Sequence, residues 1–254
     1  MLDIQDRNDG RVRVLTLDRP DALNAFNSAL YNAAAQGLQD ARDDDNVRCV
    51  VVTGRGRAFS AGQDLAEMGR IGSGETDGVG HAFPRFIDAV MDFDKPLVAA
   101  VNGLGVGIGF TMLLHCDIVV LAHAARLRAP FVPLGVVPEA ASSERMPAVM
   151  GNQQASLYLY TGRWMSAQEA VANGVALKAV PDSDLLPETY AITDEIAKMP
   201  TVSLVETKRL VNAARVDAVK EANVREQGVF AYLAGAPANM EAITAFLEKR
   251  DPVF

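Results

Sequence analysis

The chain has 254 residues, of which 49% are hydrophobic and 22% charged, with a formal net charge of −8. That length and apolar content suffice for one large domain, or for a core domain with a small helical appendage, and exclude overall disorder. The acidic balance argues against a nucleic-acid surface, which rests on dense Lys and Arg, although a few local cations could still hold one phosphorylated ligand.

Two cysteines, Cys49 and Cys116, lie in apolar stretches with no Cys-x-x-Cys. They are expected as buried structural thiols of a reducing compartment. Residues Met1 to Asp6 lack the basic region and apolar run of a signal peptide. No window reaches the roughly 18 apolar residues of a membrane span, so a cytoplasmic chain without a membrane partner is expected.

Val12–Leu17 alternates in the manner of a strand and ends at the turn signal Asp18-Arg19-Pro20. Ser28 predicts the cap of a helix from Ala29 towards Ala41. Three short apolar runs, Cys49–Thr53, Leu97–Val101 and Asp117–Leu121, read as buried strands. Helical patterns between them give repeated ββα or βαβ units. A late strand is expected within Val175–Val180. Beyond Pro181 the texture is helical, over Thr189–Lys198, Thr201–Glu226, Gln227–Leu233 and Ala238–Lys249. This predicts an α/β core over residues 1–195 followed by a helical C-terminal region, 196–254, that packs on itself or on a partner subunit. Gly69–Gly80 holds five glycines and reads as a loop.

The run Gly103-x-Gly105-x-Gly107-x-Gly109 lacks the G-x-G-x-x-G spacing of a dinucleotide fingerprint, and no G-x-x-x-x-G-K-[ST] exists. What remains is a strand feeding a glycine-rich turn into a helix, Phe110–His115. Free N–H groups there would attract developing negative charge; a tight turn with close strand–helix packing explains the same residues. A second such connection, Arg57–Leu65, follows the strand Cys49–Thr53. Two loops of this kind could aim two N–H groups at one point. About thirty residues past the glycine run, Glu139 is a single carboxylate in mostly apolar company. Paired with anion-stabilising N–H groups, one acid/base suits proton transfer at a carbon beside a carbonyl; adding water usually wants two proton-handling groups. The competing reading is an exposed glutamate near a helix start.

Ser60-Ala61-Gly62-Gln63-Asp64-Leu65, Ala100-Val101-Asn102-Gly103, Cys116-Asp117 and Thr161-Gly162 with Ala170-x-x-x-Gly174-Val175 resemble the enoyl-CoA hydratase/isomerase (crotonase) superfamily. The resemblance runs from Leu17-Asp18-Arg19-Pro20 to the C-terminal helices. It implies a crotonase-like α/β fold of repeated ββα units, an acyl-CoA thioester as ligand, and no further cofactor. An oxyanion hole from the backbone N–H groups of Gln63 and Ile108 is also implied. Hydratases of the superfamily carry two glutamates, at positions that here are Thr111 and Phe131. Pro130-Phe131-x-x-Leu134-Gly135-x-x-Pro138-Glu139-x-x-Ser142-Ser143 instead resembles the peroxisomal-type Δ3,Δ2-enoyl-CoA isomerase branch, which makes Glu139 the base. Burial in an apolar pocket would raise its pKa.

For coenzyme A, the resemblance implies contacts from Ala22, Leu23, Ala25, Ser60, Ala61, Asp64 and Leu65. Asp21 stands where the family often has Lys. Phe246 and Lys249 match positions that complete a neighbouring subunit's site in a homotrimer or dimer of trimers; by residue type alone, Phe246 reads as core and Lys249 as a solvated charge. His81, His115 and His123 have no metal-ligand spacing. His115 beside Cys116 reads as packing. Trp164 is expected near an acyl pocket or a helix junction. Two other activities remain open: a hydratase-like or other crotonase reaction through Glu139 alone, and a non-catalytic acyl-CoA binder.

Overall fold

The computed structural model of the chain describes residues 1–64, 67 and 82–254. Leu65, His81 and the Gly69–Gly80 stretch lie outside the described residues. Six strands form the larger sheet: β1 (Leu2–Arg7), β2 (Val12–Leu17), β3 (Cys49–Gly54), β5 (Leu97–Val101), β7 (Ile118–Ala122) and β10 (Lys178–Val180), in that spatial order. β1 is antiparallel to β2, and the remaining pairs are parallel. A four-stranded sheet lies in the order β4 (Ala58–Ser60), β6 (Leu104–Val106), β8 (Arg126–Arg128), β9 (Met165–Ser166). The chain therefore alternates between sheets, β3 to β4, β5 to β6 and β7 to β8, which is the repeated strand–strand unit expected.

The parallel strands are buried on both faces, which explains their continuous apolar runs. Side chains alternate across the sheet. Leu15, Val50, Val52, Leu97, Ala99 and Leu121 face a core completed by helices α1 (Ser28–Asp43) and α2 (Ala82–Met91). On the other face, Val14, Val51, Val98, Ala100 and Val120 pack with Leu185 at the start of α7 (Leu185–Ile196). Between these helices come α3 (Ile108–Thr111), α4 (Ser142–Met150), α5 (Asn152–Thr161) and α6 (Ala167–Ala172). α8 (Thr201–Asn212), α9 (Val216–Leu233) and α10 (Pro237–Glu248) complete the chain.

Three expectations change. The cap of α1 is Asn27, whose side chain accepts the Leu30 N–H, and Ser28 is the first helical residue. The expected Phe110–His115 helix begins at Ile108 and tightens into a 3-10 turn at Met112–His115. The segment read as one helix over Thr201–Glu226 breaks at 213–215, and its second half continues unbroken to Leu233. α8 buries none of its residues, whereas α9 buries Val219, Ala222, Asn223 and Glu226; the break lets the second segment turn its own face inward. Among the described residues, no helix is long and apolar enough to cross a membrane.

Candidate active site

Three backbone segments converge beyond the carboxyl ends of β4 and β6. Asn24, fully buried, holds the first of them: its amide donates to Arg55 O (2.9 Å) and Ala58 O (2.8 Å), and its Oδ1 accepts from Arg19 N (2.8 Å). The Ser60 hydroxyl donates to Asn24 O (2.9 Å) and accepts from Gly62 N (3.1 Å). Ala61 N donates to Leu23 O, and Arg19 pairs with Asp64 at 3.0 Å. Ala22, Leu23, Ala25, Ser60, Ala61 and Asp64 are thus brought together as one paired edge. Ser60 itself is buried with its hydroxyl engaged, and so shapes this edge rather than presenting a side chain.

Next to it, Phe26 and Gln63 form a parallel bridge in which Phe26 N donates to Gly62 O (2.7 Å) and Asp64 N to Phe26 O (2.9 Å). That pattern turns the Gln63 N–H away from the bridge. Opposite, Gly107 precedes α3, and its carbonyl accepts from Phe110 N (2.8 Å) and Thr111 N (2.9 Å). The Ile108 N–H opens the helix without an intrahelical partner. Both loops need glycine. Gly62 has φ +93°, and a methyl there would meet Val106 O at 2.7 Å. Gly107 combines φ 53° with ψ −123°, a region closed to side-chain-bearing residues.

Glu139 faces this point. A methyl on Gly107 would lie 3.9 Å from Glu139 Oε1 and 3.9 Å from Gly62 Cα. The glutamate is half-buried, not the exposed surface residue of the competing reading. Desolvation, with a smaller contribution from the charge of Glu226, pushes its carboxyl up to about 8. Its backbone is held by a turn in which Ala140 and Ala141 both take positive φ, 58° and 55°. Glu139 O accepts the Ser142 hydroxyl (2.5 Å) and the Ser142 N–H (3.1 Å).

Three side chains that pattern reading passes over contribute here. Tyr31 donates its hydroxyl to Gln63 Oε1 at 2.8 Å, stacked on Phe26 with ring centroids 4.7 Å apart. His115 Nε2 donates to Ala140 O at 2.7 Å, and burial lowers its pKa to about 4, so it stays neutral. Glu226 reaches across from α9 to accept the Ser143 N–H at 2.7 Å. Only position 115 had drawn attention in the sequence, as packing.

At the two positions of the hydratase carboxylates, Thr111 and Phe131 are both buried, and Thr111 Oγ1 has no hydrogen-bond partner among the described residues. Phe246 is 60% exposed near the end of α10, which corrects its assignment to the core. Lys249 caps that helix in the left-handed conformation and is exposed. Trp164 stacks near Arg128, with the guanidinium 5.4 Å from the ring centre, at the junction of β8 and α5. A surface cavity of about 380 Å³ between Leu114, Asp117, Arg145 and Ala176 includes neither Glu139 nor Gly107 in its lining.

The alternating sheets and helical C-terminal region define an α/β fold with two glycine-bounded loops beside the Glu139 carboxyl. The chain belongs to the enoyl-CoA hydratase/isomerase family, whose model matches residues 7–254. It is 32% identical over 248 residues to the 1,2-epoxyphenylacetyl-CoA isomerase of Escherichia coli (strain K12), covering 96% of this chain and 94% of that one. A probable enoyl-CoA hydratase of Mycobacterium bovis is also 32% identical, over 97% of this chain and 95% of its own. The crystal structure of an enoyl-CoA hydratase/isomerase from Pseudoalteromonas atlantica T6c superposes with a TM-score of 0.93 at 36% identity, covering 100% and 99% of the two chains. These relatives carry hydratase and bacterial isomerase names, so the likeness to the peroxisomal-type branch is not reproduced among them.

Proposed function

We propose that this chain is an acyl-CoA double-bond isomerase in which Glu139 alone handles the proton. The observation that carries this reading is the Glu139 carboxyl beside Gly107, its pKa raised to about 8, together with uncharged Thr111 and Phe131 at the two hydratase positions. In this reading the thioester oxygen lies between the N–H groups of Gln63 and Ile108. Ionised Glu139 removes a proton from C2 of a 3-enoyl-CoA. The electron pair delocalises through the thioester and the double bond as a dienolate, its oxygen held by the two N–H groups. The same carboxyl then returns the proton to C4, leaving the conjugated 2-enoyl thioester. One base that takes up and releases one proton closes the cycle.

Coenzyme A runs along the paired edge of Ala22, Leu23, Ala25, Ser60, Ala61 and Asp64, continuing towards Leu65. The helical region 196–254 serves trimer formation, and Phe246 and Lys249 complete a neighbour's coenzyme A site. A hydratase using Glu139 alone is the second reading, favoured by the hydratase names among the relatives. The test is trans-3-hexenoyl-CoA with wild type and Glu139→Gln. Appearance of the conjugated thioester with wild type, and its collapse in the variant, supports the isomerase. Inertness towards 3-enoyl substrate, with water adding to a 2-enoyl thioester, replaces it by the hydratase; acyl-CoA binding without turnover makes the chain a binder.

A further inference from the structure

Glu226 lies in the C-terminal helical region, 87 positions beyond Glu139 in the sequence, yet only 6% of it is exposed. Its neighbour Arg225 pairs outward with Glu221. Glu226 turns inward, and its Oε1 takes the Ser143 N–H at 2.7 Å. Ser143 belongs to the first turn of α4, whose N-cap residue, Ala141, has no side chain able to cap it. A carboxylate from another helix therefore supplies the missing cap. That cap closes on the turn Glu139-Ala140-Ala141-Ser142. Two consecutive non-glycine residues in that turn hold left-handed backbone, a conformation that persists only when its surroundings enforce it.

We propose that Glu226 is a positioning residue for Glu139: by capping α4 from α9 it fixes the strained turn that aims the Glu139 carboxyl at the Gly62–Gly107 junction. This role rests on the reading of Glu139 as the proton-transferring group. The helical region after residue 196 thereby takes part in positioning the catalytic group within one chain, and is not only a surface for other subunits. Glu226 Oε2 and Asn223 Oδ1, one helical turn apart, are both buried without a hydrogen-bond partner among the described residues. Such acceptors destabilise a fold unless something is gained elsewhere.

The ionisable groups around Glu139 come from α1, the 3-10 turn Met112–His115 and α9, with Glu67 besides. Tyr31 faces it from α1, with Glu67 beyond; His115 lies across Ala140; Glu226 approaches from α9, with Arg225 behind it. Tyr31 has its pKa raised and His115 has its pKa lowered, so both are neutral between pH 6 and 9. Glu226 is then the nearby carboxylate whose charge opposes ionisation of Glu139.

The experiment compares Glu226→Gln, which keeps an acceptor for Ser143 N–H and removes the charge, with Glu226→Ala, which removes both. Two readouts are taken. In the first, the Glu139 carboxyl, 13C-labelled and assigned by its loss in Glu139→Gln, is titrated by NMR in the free protein. In the second, kcat and KM are measured with trans-3-hexenoyl-CoA. In Glu226→Gln the Glu139 titration moves to lower pH and kcat falls severalfold or less; in Glu226→Ala kcat falls at least tenfold with KM little changed. A Glu139 titration in folded Glu226→Ala that superposes on wild type overturns the proposal, as does a kcat in that variant equal to wild type. Because the titration needs no substrate, it reports on this pair even if the isomerase reading fails.

Discussion

Replacing Glu139 by Gln should stabilise the protein at alkaline pH while removing its activity. The carboxyl titrates at about 8 in the folded chain instead of at its ordinary 4.5. Between those values the folded chain keeps a proton that the unfolded chain has released. The neutral form's advantage is therefore complete below the unfolded value and is lost as pH rises through the folded one. Full desolvation over that span corresponds to ~5 kcal/mol; residual solvent contact and relaxation reduce it to about 2–3 kcal/mol. Glutamine has nearly the same shape and does not titrate. For a chain of this length the difference corresponds to roughly 5–10 °C in Tm. Calorimetric scans of both proteins at pH 5 and pH 9 measure it: melting temperatures should nearly coincide at pH 5, with the variant clearly higher at pH 9. Parallel curves across the whole range would refute the claim that Glu139 is held in a desolvating site.

Two other perturbations probe the same machinery. Gly107→Ala forces a side chain into φ 53°, ψ −123° and sets a methyl 3.9 Å from Glu139 Oε1; it should lower kcat by about 10²-fold by displacing the Ile108 N–H, with circular dichroism confirming the fold, and unchanged kinetics would remove this loop from the reaction. His115→Gln acts in the opposite pH direction: His115 stays unprotonated down to about 4 in the folded chain against an ordinary 6.5, so its contribution is present above 6.5 and lost as pH falls towards 4. Urea midpoints should therefore decline less steeply over that window in the variant, and equal slopes in both proteins would contradict a buried neutral histidine.

The parts of this fold legible in the chain are those whose pattern is local. Cys49–Gly54 and Leu97–Val101 announce themselves because both faces of a parallel strand need apolar side chains. The second sheet is nearly invisible: β4, β6 and β8 have three residues each and β9 two, too short for periodicity and defined by partners far along the chain. Glu139 was legible as a lone carboxylate in an apolar run. Glu226 was not, since Val224-Arg225-Glu226-Gln227 looks like an exposed helix face, and only packing shows which of the two charges turns inward. Phe246 failed in the other direction: an aromatic residue in an amphipathic helix reads as core, but among the described residues it is left 60% exposed.

The choice between moving a double bond and adding water turns on an inventory of carboxylates, because relatives of both kinds stand at the same 32% identity. Hydration usually wants one group to activate water and another to protonate the adjacent carbon. Around Gly107 the described residues offer one such group, Glu139. The next carboxylate that acts on it, Glu226, is committed to the Ser143 N–H at the start of α4 and is buried against the turn. Thr111 keeps a hydroxyl where the hydratase pattern has a glutamate, and a hydroxyl with an ordinary pKa far above neutrality can orient a water molecule without ionising it. Adding a carboxylate there by Thr111→Glu would restore the second group, but in a position that is fully buried. Among the described residues Glu139 is the one carboxylate placed beside Gly107, and that is what supports the isomerase reading over the hydratase.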